Sequence, residues 1–422
     1  MGGLISQQPA AAAEWRSHWP LVLAAAIGFS FHSVVSNAIG LFIEPLNAEF
    51  GWSRAEITAG LSLTAFMTVP LAPVVGAAID RWGARRLALP GLVLTAGAVA
   101  SFGLASGSVT QWLALWVMYA FISLSVKSTV WTAAVSGTFD AGRSLALGLT
   151  LAGTAVAQTI VPPLAQWLIA DFGWRQAWYI LGFGWGALAF ITSVFFLYGA
   201  HERTRERAKD PRAKAPPVLY GLDLKEALRD PALLRIALAT LITMFLGIAV
   251  IVHQVPILTD AGVSRESAAL LASLAGIAGI VGKITTGWLM DRFTSGWIGG
   301  FTLSAAAIGF LLLLEPFRTT ALIVVAMIII GYSTGANFQI TTYLTSRYGG
   351  MKSFGKIFGT MSILVTVGAG LGPVVAGAIY DMAGSYTPLL IAGIPGAIIS
   401  GLLIVGLGPY PEWNEGRVQA EA

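Results

Sequence analysis

The chain contains no cysteine among its 422 residues. Disulfides, thiolate nucleophiles and cysteine-held metals are therefore excluded. Charge is also scarce. Only 11% of residues are charged, against about 25% in a soluble protein. With 56% hydrophobic residues and a mean hydropathy of +0.74, the composition is that of an integral membrane protein. The opening MGGLISQQPAAAAEW lacks the basic, apolar and cleavage regions of a signal peptide. MGGLIS matches a myristoylation pattern, from which a chain already spanning a bilayer would gain little. No nucleophile–base–acid set, metal-ligand cluster or phosphate loop is present. The sequence thus predicts no enzyme, no cofactor and no metal.

What the chain does have is apolar runs of membrane-spanning length. Twelve are expected, at 20–45, 57–79, 87–106, 111–137, 144–170, 175–199, 234–258, 267–290, 296–314, 320–345, 355–380 and 386–408. If both termini are cytoplasmic, nineteen of the 25 Lys and Arg fall on the inside, four on the outside and two within spans. The positive-inside bias therefore predicts that orientation. Residues 200–233 form the one long loop, charged and Pro-containing at first. Its DLKEAL segment suggests a short surface helix capped by Asp223.

An offset of 211 residues superposes many features of the two halves without a gap. It brings together Pro45 and Pro256, Gly51 and Gly262, Ser53-Arg54 and Ser264-Arg265, and Gly76 and Gly287. Asp80-Arg81 meets Asp291-Arg292, Gly148 meets Gly359, Pro162 meets Pro373, and Gly173 meets Gly384. The expected architecture is an all-α membrane protein of two pseudo-symmetric six-helix halves, 1–199 and 234–422, joined by a cytoplasmic linker, 200–233.

Two lysines sit where a membrane protein should not want them. Lys283, in GKITTGWLMDRF, precedes the Asp291 boundary by eight residues, about 12 Å of helix. Lys127, in SLSVKSTVWTAA, precedes Gly137 by ten, about 15 Å. Both are thus near the middle of a hydrocarbon layer about 30 Å thick. Each half supplies one. All 21 acidic residues lie in loops, termini or span ends, so neither ammonium has a protein carboxylate at its depth. Charge there is costly and marks function, and two uncompensated cations read as an anion site. Other polar groups are His32 and Asn37 in span 1, Gln158 in span 5, and Asn337 and Gln339 in span 10. Trp131 lies one turn from Lys127. Asn337, Gln339 and Gln158 would either line a path or tie helices together. His32 is the candidate proton carrier or a packing histidine, and His253, near the outer end of span 7, reads as packing. Spans 3, 6, 9 and 12 lack strongly polar residues centrally, as expected of helices away from a polar path.

GAAIDRWGARR (76–86) between spans 2 and 3 resembles the loop signature of the major facilitator superfamily. GWLMDR (287–292) repeats it between spans 8 and 9. The resemblance covers the whole chain. It implies that Gly76, Asp80, Arg81, Gly83, Arg85, Arg86, Gly287, Asp291 and Arg292 form a cytoplasmic gate. There a carboxylate faces a helix N-terminus, which the helix dipole favours. FGWSR (50–54) and FGWR (172–175) further resemble the monocarboxylate and oxalate/formate transporter group. In that group a basic residue four before the second-loop glycine binds the substrate carboxylate, and here it is Lys283. Arginine is usual there; lysine keeps the charge and gives up bidentate pairing. The animal carriers place an aspartate one turn earlier, where this chain has Gly279.

The expected function is secondary active transport of a small organic anion, a carboxylate, by alternating access, with Lys283, Lys127, Asn337, Gln339, Asn37, Gln158 and Trp131 as substrate contacts. Proton-coupled uptake is the favoured coupling, and exchange of the oxalate/formate type or drug efflux are the alternatives. The expected location is a bacterial inner membrane, and the expected state a monomer with no nucleic-acid partner.

Overall fold

A computed structural model describes residues 8–139, 142–197, 220–293, 296–350, 352–411 and 413. Most of the expected 200–233 linker, residues 200–219, lies outside the described residues. Among the described residues nine helices are long and apolar enough to cross a membrane, and Gly296–Leu312 is a shorter apolar one. In hydrocarbon a helix is the form that pairs every backbone group within one segment.

The helices are α1 Gln8–Phe50, α2 Arg54–Thr68, α3 Ala72–Trp82, α4 Ala84–Ala100, α5 Val109–Ser123, α6 Ser128–Ser136, α7 Arg143–Ile180 and α8 Gly186–Phe196. After the linker come α9 Leu224–Ala227, α10 Pro231–Asp260, α11 Arg265–Arg292, α12 Gly296–Leu312, α13 Thr320–Gly349, α14 Phe354–Ala383 and α15 Thr387–Val405. Several expected spans are not single helices. The 57–79 interval is interrupted between α2 and α3, where Pro70 and Pro73 remove backbone donors. The 111–137 interval breaks just before Lys127. The 144–170 and 175–199 intervals run on through α7, which turns at Gly173 (φ 81°, ψ 161°). DLKEAL forms one turn only, with the Asp223 N–H bonded to Glu226 at 2.6 Å.

The chain divides into two compact units. One holds Met1–Trp52 and Phe66–Lys214, and the other Ser53–Ala65 and Ala215–Ala422. The division falls inside α2. Gly51 and Gly262 both take positive φ, at 70° and 84°, and so do Gly173 and Gly384, at 81° and 68°. The paired glycines thus share positive φ, which is cheap for glycine alone, although Gly173 is extended in ψ (161°) and Gly384 is left-handed (ψ 8°).

The first unit is fastened at one end by aromatic rings. Phe42 stacks on Trp178 at 4.0 Å, and Phe102 packs against Trp116 at 4.8 Å. The FGWR motif has a structural job here. Arg175 pairs with Glu49 at 2.7 Å, and the Trp174 indole donates to the same carboxylate at 2.7 Å. In the second unit, α11 and α13 meet along glycines. A Cβ on Gly335 would lie 2.2 Å from the Gly279 carbonyl oxygen, and one on Gly331 would lie 2.2 Å from that of Ala275. Small residues let backbones close in this way, and dispersion then supplies the attraction that lipid does not oppose.

Candidate substrate-binding site

Lys127 stands at a discontinuity in its span. Leu124–Val126 is a turn of 3-10 helix, Lys127 is extended (φ −69°, ψ 167°), and α6 begins at Ser128. The local sequence SLSVKST is rich in hydroxyls that compete for backbone acceptors. Ser125 donates to the Ile122 carbonyl at 2.6 Å. The Trp131 indole N–H donates to the Val126 carbonyl at 2.9 Å, and the Val130 N–H donates to Lys127 O at 3.1 Å. The break is therefore largely satisfied from within the segment. The Lys127 ammonium donates to the Thr68 hydroxyl at 2.5 Å. It also sits at the N-terminal, positive end of α6. Two positive features coincide, and an anion would relieve both.

His32 faces this point. A Cβ on Gly28 would meet the Trp131 ring at 2.2 Å, which fixes the register of two antiparallel helices. One turn onward in α1 is His32, and one turn back from Trp131 is Lys127. The His32 Nδ1 is buried without a hydrogen-bond partner among the described residues. Asn37 is buried and donates to Ser33 O of its own helix at 2.8 Å. Trp131 is fully buried and supports the break through its ring and its N–H. Gln158 is half-buried on α7.

In the second unit Lys283 is half-buried, with no hydrogen bond or ion pair among the described residues. Ile277, Val281, Ile284 and Trp288 are all exposed and form an apolar stripe along α11. At 3.6 residues per turn Lys283 lies roughly 130° round the helix from that stripe. The glycine seam brings α13 to its side. The Tyr332 hydroxyl bonds Thr285 at 2.7 Å and Thr286 at 3.3 Å, and Gln339 Nε2 lies against Gly287. Asn337, 3% exposed, is turned toward α10 and accepts from Thr243 at 2.8 Å. Tyr332, Thr286 and Gln339 thus lie along the contact of α11 with α13, and Asn337 belongs to another. Tyr332, Thr286 and Thr68 were not singled out as contacts from the sequence. Hydroxyls are frequent in membrane helices, and only the register selects these three.

Of the expected gate, Gly83 ends α3 with φ 86°. Arg81 and Arg86 are exposed, and Arg85 is half-buried. The Arg292 guanidinium lies 5.5 Å from the Trp288 ring. Gly76, Asp80 and Asp291 lie on α3 and α11, and their side chains are outside the described part of the structure. His253, read as packing, is fully buried with both ring nitrogens hydrogen-bonded.

The long apolar helices are those of a polytopic membrane protein. The profile of the Major Facilitator Superfamily matches residues 25–350 and again 248–421, and the chain belongs to that superfamily. It is 28% identical over 401 residues to monocarboxylate transporter 13 of Bos taurus, covering 92% of this chain and 88% of that one. It is 28% identical over 395 residues to monocarboxylate transporter 11 of Mus musculus, covering 87% and 83%. The MFS transporter asaE of Aspergillus flavus is 25% identical over 379 residues, covering 88% and 80%. Among solved structures, a bacterial homologue of the human lysosomal transporter Spinster, inward-facing and unoccupied, aligns with a TM-score of 0.62 at 17% identity. It covers 95% of this chain and 96% of that one, a likeness of fold.

Proposed function

We propose that the protein carries a small organic anion, a carboxylate, across a bacterial inner membrane by alternating access of its halves 1–199 and 234–422. The single observation that carries this reading is Lys283, an ammonium on the protein side of α11 with no protein partner among the described residues. A bound carboxylate supplies the missing charge. Lys127 is the second cation, placed in the other half of the chain. The names of the monocarboxylate transporter relatives support the same substrate class. The basic-residue asymmetry supports cytoplasmic termini. Coupling to protons, with His32 as carrier, is the preferred mode. Anion exchange is the second reading, favoured by the lack of any carboxylate in the span interiors.

The test is ligand-induced thermal stabilisation of purified protein with mono- and dicarboxylates, aromatic acids and cationic drugs. A ligand at 100 times its Kd stabilises by about 2.7 kcal/mol. One carboxylate class should raise the Tm of wild type and of Lys283→Arg, and leave Lys283→Gln unmoved. If acids stabilise Lys283→Gln as well as wild type, or only cations stabilise either, the carboxylate reading fails.

A further inference from the structure

The outer end of α2 is held in the second unit by a side chain acting as a detached cap. Asp381, near the end of α14, accepts from the Arg54 N–H through Oδ1 and from the Ala55 N–H through Oδ2, both at 3.0 Å. These are the first two amides of α2, which a helix cannot satisfy internally, and a carboxylate there also meets the positive end of the dipole. The Arg54 side chain reaches on. Its guanidinium lies 3.4 Å from the Tyr380 ring centroid, and Nη1 donates to the Tyr386 hydroxyl at 2.7 Å. That hydroxyl bonds His253 Nδ1 at 2.6 Å, and His253 Nε2 bonds the Pro373 carbonyl at 2.9 Å. A carbonyl only accepts, so Nε2 carries the hydrogen and Nδ1 accepts from Tyr386. The chain of donors is then fully assigned: Arg54 to Tyr386, Tyr386 to His253, His253 to Pro373. Small residues keep the contact close. A Cβ on Gly377 would lie 2.7 Å from Ala55 N, and one on Gly370 would lie 2.8 Å from the Ala65 Cβ. Ser62 donates to the Gly370 carbonyl. The packing reflects this, since Ser53–Ala65 belongs to the second unit and Phe66 onward to the first. The same fifteen-residue helix ends at Thr68, the acceptor for Lys127.

We propose that Asp381 and Arg54 form an outer latch, holding the start of α2 against α14 until the path opens to the outside. The proposal rests on the alternating-access reading. The latch mirrors, at the other end of the helices, the carboxylate-on-helix-terminus device expected of the cytoplasmic loops.

The cysteine-free chain gives a clean assay. A single cysteine replaces Ser62, two turns below the Asp381 contact, and its labelling by a membrane-impermeant maleimide is timed from the outside. With the latch intact labelling is slow. Asp381→Asn and Arg54→Gln should each speed it about tenfold, as expected on losing charge-assisted hydrogen bonds. If Asp381→Asn fails to fold, Arg54→Gln carries the test, because it leaves the backbone amides and Asp381 in place. Equal labelling rates in the folded variants and in the Ser62→Cys parent overturn the latch. No substrate enters the assay, so failure of the carboxylate reading and failure of the latch remain separate results.

Discussion

The indole N–H of Trp131 donates to the carbonyl of Val126 at 2.9 Å, across the break that frees Lys127 from helical geometry. Trp131→Phe keeps most of the ring volume and leaves that carbonyl unpaired in a buried place. A buried acceptor without a partner costs about 1–3 kcal/mol, so the Tm of the purified variant should fall. An unchanged Tm would mean that other groups hold the break.

The seam of α11 and α13 offers a paired comparison. Gly335→Ala places a methyl 2.2 Å from the Gly279 carbonyl oxygen, whereas a Cβ at Gly359 meets nothing within 4 Å. The first should destabilise by at least about 1–3 kcal/mol, the usual range for overpacking. The second should be neutral or gain up to about 1 kcal/mol from the lost entropy of the unfolded chain. Thermal unfolding of the two variants side by side checks both, and equal Tm values would show that the helices separate freely.

Tyr410, just beyond α15, makes a prediction for alkaline pH. Burial first, then the nearby Tyr343 and Tyr348 phenols, push it up to about 12 from an ordinary 10.0, opposed by Arg347. The folded state therefore holds this proton more tightly than the unfolded chain. Its contribution to stability is complete below pH 10 and is lost as pH rises toward 12. The absorbance change at 295 nm near pH 12 should be smaller in Tyr410→Phe than in wild type, with the change near pH 10 unaltered. If the variant instead loses a step near pH 10, the phenol is solvated.

Much of this was legible in the sequence, because the strongest signals were periodic or repeated. Spans show as apolar runs, and the repeat shows as glycines at one offset, two pairs of which take positive φ. The superfamily was visible in the loop motif. The break at Lys127 was not, because SLSVKST has the hydropathy of a helix and its competing hydroxyl bonds depend on local geometry. Nor was the hydrogen bond from the Trp131 indole to the Val126 carbonyl. His253 read as packing because its partners, Tyr386 and the Pro373 carbonyl, come from elements more than a hundred residues away. Asp381 has the same history: nothing near it in sequence announces that it caps α2.

Gly279 has a consequence for how selectivity would be reached in this chain. The animal carriers that it resembles have an acid at this place, one turn from their basic residue, and so carry a built-in counter-ion. Here a side chain at 279 would begin 3.2 Å from the Gly331 carbonyl oxygen and 3.5 Å from the Gly335 Cα. A side chain there would be tight against that oxygen, and α13 would have to give by a few tenths of an ångström. The close approach of α11 and α13 thus leaves little room at residue 279 for a counter-ion to Lys283.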